Sequence, residues 1–205
     1  MYDGHVSLVT AFVLAGGKST RMGADKAFLD FGGAPLLVHA LKLASVVASE
    51  VHIVGEAQKF SAFSAVVEDL YPERGPLGGI HAALSNSVTD FNLMLAVDIP
   101  FVQPEFLRYL VSLASASGAM VTVPRANGGF QPLCAVYRAA FAKPAETALQ
   151  AGRNKIDSLF AEVSLRIIEE DEMQRGQFSS AMFRNLNTPE EWRQARAAGL
   201  IQNAD

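Results

Sequence analysis

The run Val9 to Leu14, VTAFVL, ends directly on Ala15-Gly16-Gly17. A short, β-branched, nearly unbroken apolar stretch stopped by glycines suits a strand buried on both faces. Such a strand belongs inside a sheet that helices cover on each side. The chain then repeats this unit. Glu50 to Val54 (EVHIV), Ala65 to Glu68 (AVVE) and Phe91 to Val97 (FNLMLAV) are further strand candidates, the last being the most apolar and running into Asp98-Ile-Pro. A helix is predicted from Pro35, with Leu37, Leu41, Ala44 and Val47 on one apolar face and Lys42 and Ser45 off it. A polar, helical segment separates the second and third strands, and another helix is predicted over 76–85. Alternation of this kind implies an α/β fold of three α/β/α layers around a mainly parallel sheet with right-handed crossovers.

The rest of the chain reads as more mixed. Ala27 to Phe31 adds a short extended piece before a turn at Gly32-Gly33. Strands over 119–123 and 132–137 flank a turn-rich PRANGGF, and helices are predicted over 138–150 and 155–161. Thr188-Pro-Glu-Glu191 supplies an N-cap, a proline at the first helical position and a glutamate three after the cap, so a last helix starts there. Without internal repeats or low-complexity linkers, the 205 residues are read as a single domain, 1–205.

Charge and cysteine content narrow the function classes. The net charge of −4 gives no electrostatic footprint for nucleic acid, so an anionic ligand needs a local site. The single cysteine, Cys134, has no disulfide or zinc partner and reads as a buried small hydrophobe, which fits a reducing cytoplasm. The apolar run 6–15 lacks a preceding basic segment, and no run approaches the ~20 residues a membrane span needs. A cytoplasmic protein with no membrane partner is expected.

The local anion site is LAGGKSTRMGADK, Leu14 to Lys26. Gly17-Lys18-Ser19 resembles the tail of a P-loop, yet Phe12 stands where the motif needs a glycine, and the glycines at 16, 17 and 23 do not spell a dinucleotide fingerprint. What survives is a glycine pair at the end of a buried strand, able to present its amides to a ligand, followed by Lys18, Arg21 and Lys26. Arg21 and Lys26 are the expected phosphate contacts. Asp98 ends the most apolar strand, on the rim where ligands sit in open α/β sheets. A carboxylate beside a phosphate loop is explained by Mg²⁺, which takes both kinds of oxygen. The competing reading makes Asp98 a cap for a helix near Pro104. His5, His39, His52 and His81 form no ligand pattern, the acidic run Glu169 to Glu172 reads as a solvated segment, and Trp192 as packing of the last helix.

Taken together, LAGGKSTRMGADK, VVEDLYPERGPLGGIHAAL, LAVDIPF, FQPLCAVYR and FRNLNTPEEW resemble the molybdenum cofactor guanylyltransferases, within the nucleotidyltransferases of Rossmann-like, nucleotide-diphospho-sugar transferase type. The resemblance implies transfer of GMP from Mg–GTP to the phosphate of molybdenum-molybdopterin, with release of pyrophosphate. It implies backbone contacts to the nucleotide from Leu14, Ala15, Gly16 and Gly17, a phosphate contact from Lys26, base or sugar reading by Asp69 and a further contact at Gly78. Asp98 holds Mg²⁺ in this reading, and Asn185 and Asn187 lie near the active site or acceptor. Proteins that deliver or receive molybdopterin are the implied partners. Two departures stand out: Gly55 where relatives place an asparagine after the second strand, and Gln131 where they commonly carry histidine. The alternatives left open are use of CTP or another phosphorylated acceptor, and a GTP-binding carrier without turnover.

Overall fold

A computed structural model describes residues 9–16 and 25–197. Among these residues eight strands form one sheet: β1 (Val9–Leu14), β2 (Glu50–Val54), β3 (Val66–Val67), β4 (Phe91–Ala96), β5 (Val121–Ala126), β6 (Gly129–Phe130), β7 (Cys134–Arg138) and β8 (Leu165–Ile168). Their order is β3-β2-β1-β4-β7-β5-β6, with β8 beside β5. The helices are α1 (Leu36–Ala44), α2 (Ala57–Phe60), α3 (Pro76–Asn86), α4 (Pro104–Ser117), α5 (Ala142–Gln150), α6 (Ile156–Phe160), α7 (Glu170–Arg175) and α8 (Pro189–Ala197).

Strands β1 to β4 pair in parallel, as the βαβ rhythm predicts. β7 breaks the pattern by inserting antiparallel between β4 and β5. Its sequence, CAVYR, is as apolar as a parallel strand because both its faces are covered, so burial alone does not reveal its direction. PRANGGF becomes a hairpin, with Asn127 and Gly128 at φ +54° and +79° joining β5 to β6.

Two cores separated by the sheet follow the period-two alternation of the strands. Ala11 and Val13 of β1, Leu93 and Leu95 of β4, and Cys134 and Val136 of β7 face the core shared with α1, α4 and α8. Phe12, Leu14, Met94, Ala135 and Tyr137 face the opposite core, shared with α3, α5 and α6. The expected stripe on α1 is only partly met. Leu37 and Ala44 are buried, but Leu36, Ala40 and Leu43 complete the buried face, while Leu41 stays half-buried. Pro35 precedes this helix as its N-cap and does not occupy its first turn. Glu169 to Glu172 forms the N-cap and first turn of α7, where acidic groups favour the helix dipole; Glu172 there accepts hydrogen bonds from Arg166 and from Tyr109 Oη, the latter at 2.8 Å. Trp192 packs edge-on against Phe31, as expected of the last helix.

The order β3-β2-β1-β4 also locates a switch point: from β1 the chain builds outward to β2 and β3, then returns to the other side of β1 as β4. In open α/β sheets the crevice at the carboxyl ends of two such strands is where ligands bind.

Candidate active site

β1 and β4 run in register up to the pair Leu14 and Ala96, so the residues that follow each strand emerge side by side. Main-chain bonds continue past the strand ends. Val97 N donates to Leu14 O at 3.1 Å, and the amides of Ala15 and Gly16 both donate to Val54 O, at 3.0 and 3.1 Å. The expectation that the glycine pair presents its amides to a ligand is therefore corrected at Gly16, whose N–H is used to extend the sheet toward β2. Gly17 and Arg21 lie outside the described residues.

Asp98 stands on this rim, two residues past the end of β4. It does not cap α4, whose N-cap is Gln103. Its Oδ2 lies 3.4 Å from Lys26 Nζ, and the same ammonium donates to Asn187 Oδ1. Lys26 comes from a different element than expected. It opens a 3-10 turn, Lys26–Phe28, which takes the place of the start of the extended piece read over Ala27 to Phe31, because the Asp25 carboxylate caps it by accepting from Ala27 N at 3.2 Å. Asp25 also lies 3.7 Å from Lys59 Nζ, while the carboxylate beside Lys26 is that of Asp98. The third member, Asn187, arrives from the far end of the chain: Leu186 N donates to Asp98 O at 2.9 Å and sets the next residue beside the ammonium. Asn185, also singled out in the sequence, is exposed on the other side of buried Leu186.

The Lys26 and Asp98 side chains are 19% and 24% exposed. A partly solvated ion pair contributes only about 0–1 kcal/mol, so its charges are held in place yet remain open to exchange with an incoming anion and cation. Among the described residues no group of three or more His, Cys, Asp or Glu side chains could hold a metal ion. A cation here would take Asp98 together with oxygens brought by a ligand. That donor set suits Mg²⁺, which commonly binds one or two carboxylates plus substrate phosphates and keeps the rest of its shell as water.

Asp69 lies after β3, three strand positions from β4, which places it about 14 Å along the same rim at the usual strand spacing. Its Oδ1 accepts from Tyr71 N at 2.8 Å, and partial burial pushes its carboxyl above the usual range. The sequence of α3 is shaped around it. A helix interior favours alanine over glycine by about 1 kcal/mol, so Gly78-Gly79 in the first turn requires a contact reason. A Cβ at Gly78 would stand 2.6 and 2.7 Å from the two Asp69 carboxylate oxygens, and one at Gly79 would stand 3.2 Å from Val54 Cγ1 and 3.4 Å from Leu14 Cδ2. The glycines let the helix close onto the carboxylate and onto the ends of β1 and β2. The helix starts at Gly75, with φ +68° and ψ −163°, a conformation open essentially to glycine alone.

Gly55 has an equally local cause. A Cβ there would come within 2.7 Å of the Phe60 ring, itself buried and stacked on Phe28 with centroids 5.7 Å apart. An asparagine at 55 and this placement of Phe60 exclude each other. Gln131 donates from Nε2 to Ala126 O at 3.1 Å and closes the hairpin. Burial raises the thiol of Cys134, which agrees with a packing role.

Residues 11–166 match the family model for the MobA-like NTP transferase domain. The chain belongs to that family. A probable molybdenum cofactor guanylyltransferase of Pelotomaculum thermopropionicum is 34% identical over 189 residues, covering 91% of each chain. The molybdenum cofactor guanylyltransferase of Syntrophotalea carbinolica is 31% identical, covering 93% of this chain and 91% of its own. Among solved structures, molybdopterin-guanine dinucleotide biosynthesis protein A of Archaeoglobus fulgidus superposes with a TM-score of 0.81 at 26% identity, covering 93% of this chain and 98% of its own. A MobA-like transferase needs one place for a nucleotide's phosphates and one for its base. The described rim offers a cation with a carboxylate at Lys26 and Asp98, and a separate carboxylate at Asp69. No described helix is long and apolar enough to cross a membrane.

Proposed function

We propose that the chain transfers GMP from Mg–GTP to the terminal phosphate of molybdenum-molybdopterin, releasing pyrophosphate, in the cytoplasm and between proteins that deliver and receive molybdopterin. The observation that carries this reading is the convergence of Lys26, Asp98 and Asn187 at the β1–β4 crevice. In the reaction an oxygen of the acceptor phosphate forms the new bond to the α-phosphorus of GTP. The bond from that phosphorus to the bridging oxygen of pyrophosphate breaks, and the leaving group departs with the electron pair. Nucleophile and electrophile are both anionic, so the obstacle is charge repulsion, and no protein nucleophile is required.

Each residue then has a definite task. The Lys26 ammonium moves from Asp98 to phosphate oxygens and offsets the charge that builds up on pyrophosphate. Asp98 and Asn187 offer the oxygens between which that ammonium is held beforehand, so little reorganisation is needed. Mg²⁺, held by Asp98 and the phosphates, would supply Lewis-acid stabilisation of the same charge. Asp69, fixed by Tyr71 N against Gly78, accepts hydrogen bonds from the base or sugar. With no side chain at 55 and the Ala15 and Gly16 amides spent on Val54 O, base reading rests on Asp69 and on the Ala15 and Gly16 carbonyls, and this keeps a CTP-using variant of the same reaction as the alternative.

Gly78→Ala tests the role of Asp69. The added methyl displaces the carboxylate, so KM for GTP is expected to rise about 10-fold with kcat changed less than threefold, as for loss of binding shared by ground and transition states. A kcat loss at unchanged KM would place Asp69 elsewhere in the mechanism. The function itself is tested by pyrophosphate release with GTP, CTP, ATP and UTP in the presence of molybdenum-molybdopterin. A kcat/KM for GTP at least about 100-fold above the others is expected, because the wrong base leaves polar groups of the site unpaired. Preference for CTP would replace guanylyl transfer by the cytidylyl reaction.

A further inference from the structure

We propose that Glu191, beyond capping α8, is a positioning residue for the phosphate end of the site, acting on Lys26 through Asn187. This rests on the reading of Lys26 as the phosphate contact. The sequence pattern accounts for only part of what Glu191 does. In a capping box the glutamate accepts from the main-chain amide of the cap residue, and here Glu191 Oε2 does so from Thr188 N at 2.8 Å while Thr188 Oγ1 accepts from Glu191 N at 3.2 Å. The same Oε2 also accepts from Asn187 N at 2.5 Å, a bond outside the box that the helix does not need. It restrains the residue whose Oδ1 receives the Lys26 ammonium.

The restraint is two-sided. Ahead of Asn187, Leu186 N is fixed to Asp98 O; behind it, the amides of residues 187 and 188 share one carboxylate oxygen. The helix that carries Glu191 is anchored by Trp192, which is buried in the core against Phe31. Long lysine side chains carry much rotamer freedom, and a neutral oxygen held in a fixed place orders the ammonium without cancelling its charge. Glu191 thus ties the start of α8 to the reacting end of the cleft across more than 160 residues of chain.

Thr188 provides the control, because Thr188→Ala removes the other half of the same box yet leaves the bond from Asn187 N to Glu191. In the full-length protein, Glu191→Ala and Thr188→Ala are both expected to lower Tm by a few degrees. Glu191→Ala is expected to lower kcat/KM for GTP about 10-fold, as misplacement of a catalytic group does, while Thr188→Ala stays within about twofold. Glu191→Gln, which keeps an acceptor oxygen, recovers most of the loss. The double variant Glu191→Ala/Asn187→Ala is no slower than Asn187→Ala alone, because both changes break one chain of contacts. Trace acetylation of Lys26, read by mass spectrometry, does not depend on turnover: labelling is expected to be several-fold faster in Glu191→Ala and unchanged in Thr188→Ala. Equal rate losses in the two single variants, a double variant with multiplied losses, or equal Lys26 labelling would reduce Glu191 to a helix cap. If the wild-type protein releases no pyrophosphate from GTP, the functional reading falls, and the labelling comparison alone decides the positioning role.

Discussion

Asp98→Ala is expected to slow pyrophosphate release by about 10³-fold, since loss of a charge-stabilising interaction worth about 4 kcal/mol corresponds to three decades in rate. The fold should survive, because the structural bond at this position uses the main chain: Asp98 O accepts from Leu186 N whatever the side chain is. The ion pair that disappears is partly solvated and contributes little to stability. A large rate loss with Tm within a few degrees of wild type is thus the specific outcome, checked by a coupled pyrophosphate assay beside thermal unfolding. Asp98→Asn sharpens the test, as it keeps an oxygen for Lys26 but removes the charge; it is expected to be nearly as slow as alanine. A rate within tenfold of wild type for either variant would mean that Asp98 is not where charge is managed.

Lys26→Ala is expected to lower kcat by about 10²- to 10³-fold, the range seen when one preorganised donor to a developing anion is removed. Lys59 is held by other carboxylates, Glu56 Oε1 at 2.5 Å and Asp25 Oδ2 at 3.7 Å, and not by the Asp98 and Asn187 oxygens that place Lys26. Lys26→Arg should recover little: the planar guanidinium cannot replace a compact ammonium between the Asp98 and Asn187 oxygens. Single-turnover measurement at saturating GTP separates the loss in the chemical step from weaker binding. A change confined to KM would make Lys26 a binding group without a role at the transition state.

The first half of the fold was legible because its strands state their environment directly. VTAFVL and FNLMLAV are covered on both faces and read as continuous apolar runs, and their parallel pairing follows from the helices between them. β7 was legible as a strand but not as an antiparallel insertion, since a strand buried on both faces looks alike in either direction. The 3-10 turn at Lys26 was hidden because its cause is a single Asp25 cap, which overrides the extended preference of the residues that follow.

In the site, Asp98 could be singled out from its place after the most apolar strand, and the structure brings it to Lys26. Asn187 entered only through the family resemblance. Its contact with Lys26 spans most of the chain, and no local pattern encodes that. A partial signal was nevertheless present in Thr188-Pro-Glu-Glu191, which announces a carboxylate folded back over the preceding amides. The glycines divide similarly. Gly78 and Gly55 answer to Asp69 and Phe60, whose positions only the folded chain reveals. The amide of Gly16, expected to face a ligand, was claimed by Val54 O because the sheet extends past its last strand residue.

In the proposed function the crevice between β1 and β4 grips a metal-bearing triphosphate through Asp98 and Lys26 together. Titration of Mn²⁺ followed by electron paramagnetic resonance, with and without GTP, tests it without relying on turnover. Mn²⁺ binding is expected to be tightened at least about 10-fold by GTP in the wild-type protein, with that coupling lost in both Asp98→Asn and Lys26→Ala. Coupling of undiminished strength in the two variants would contradict it.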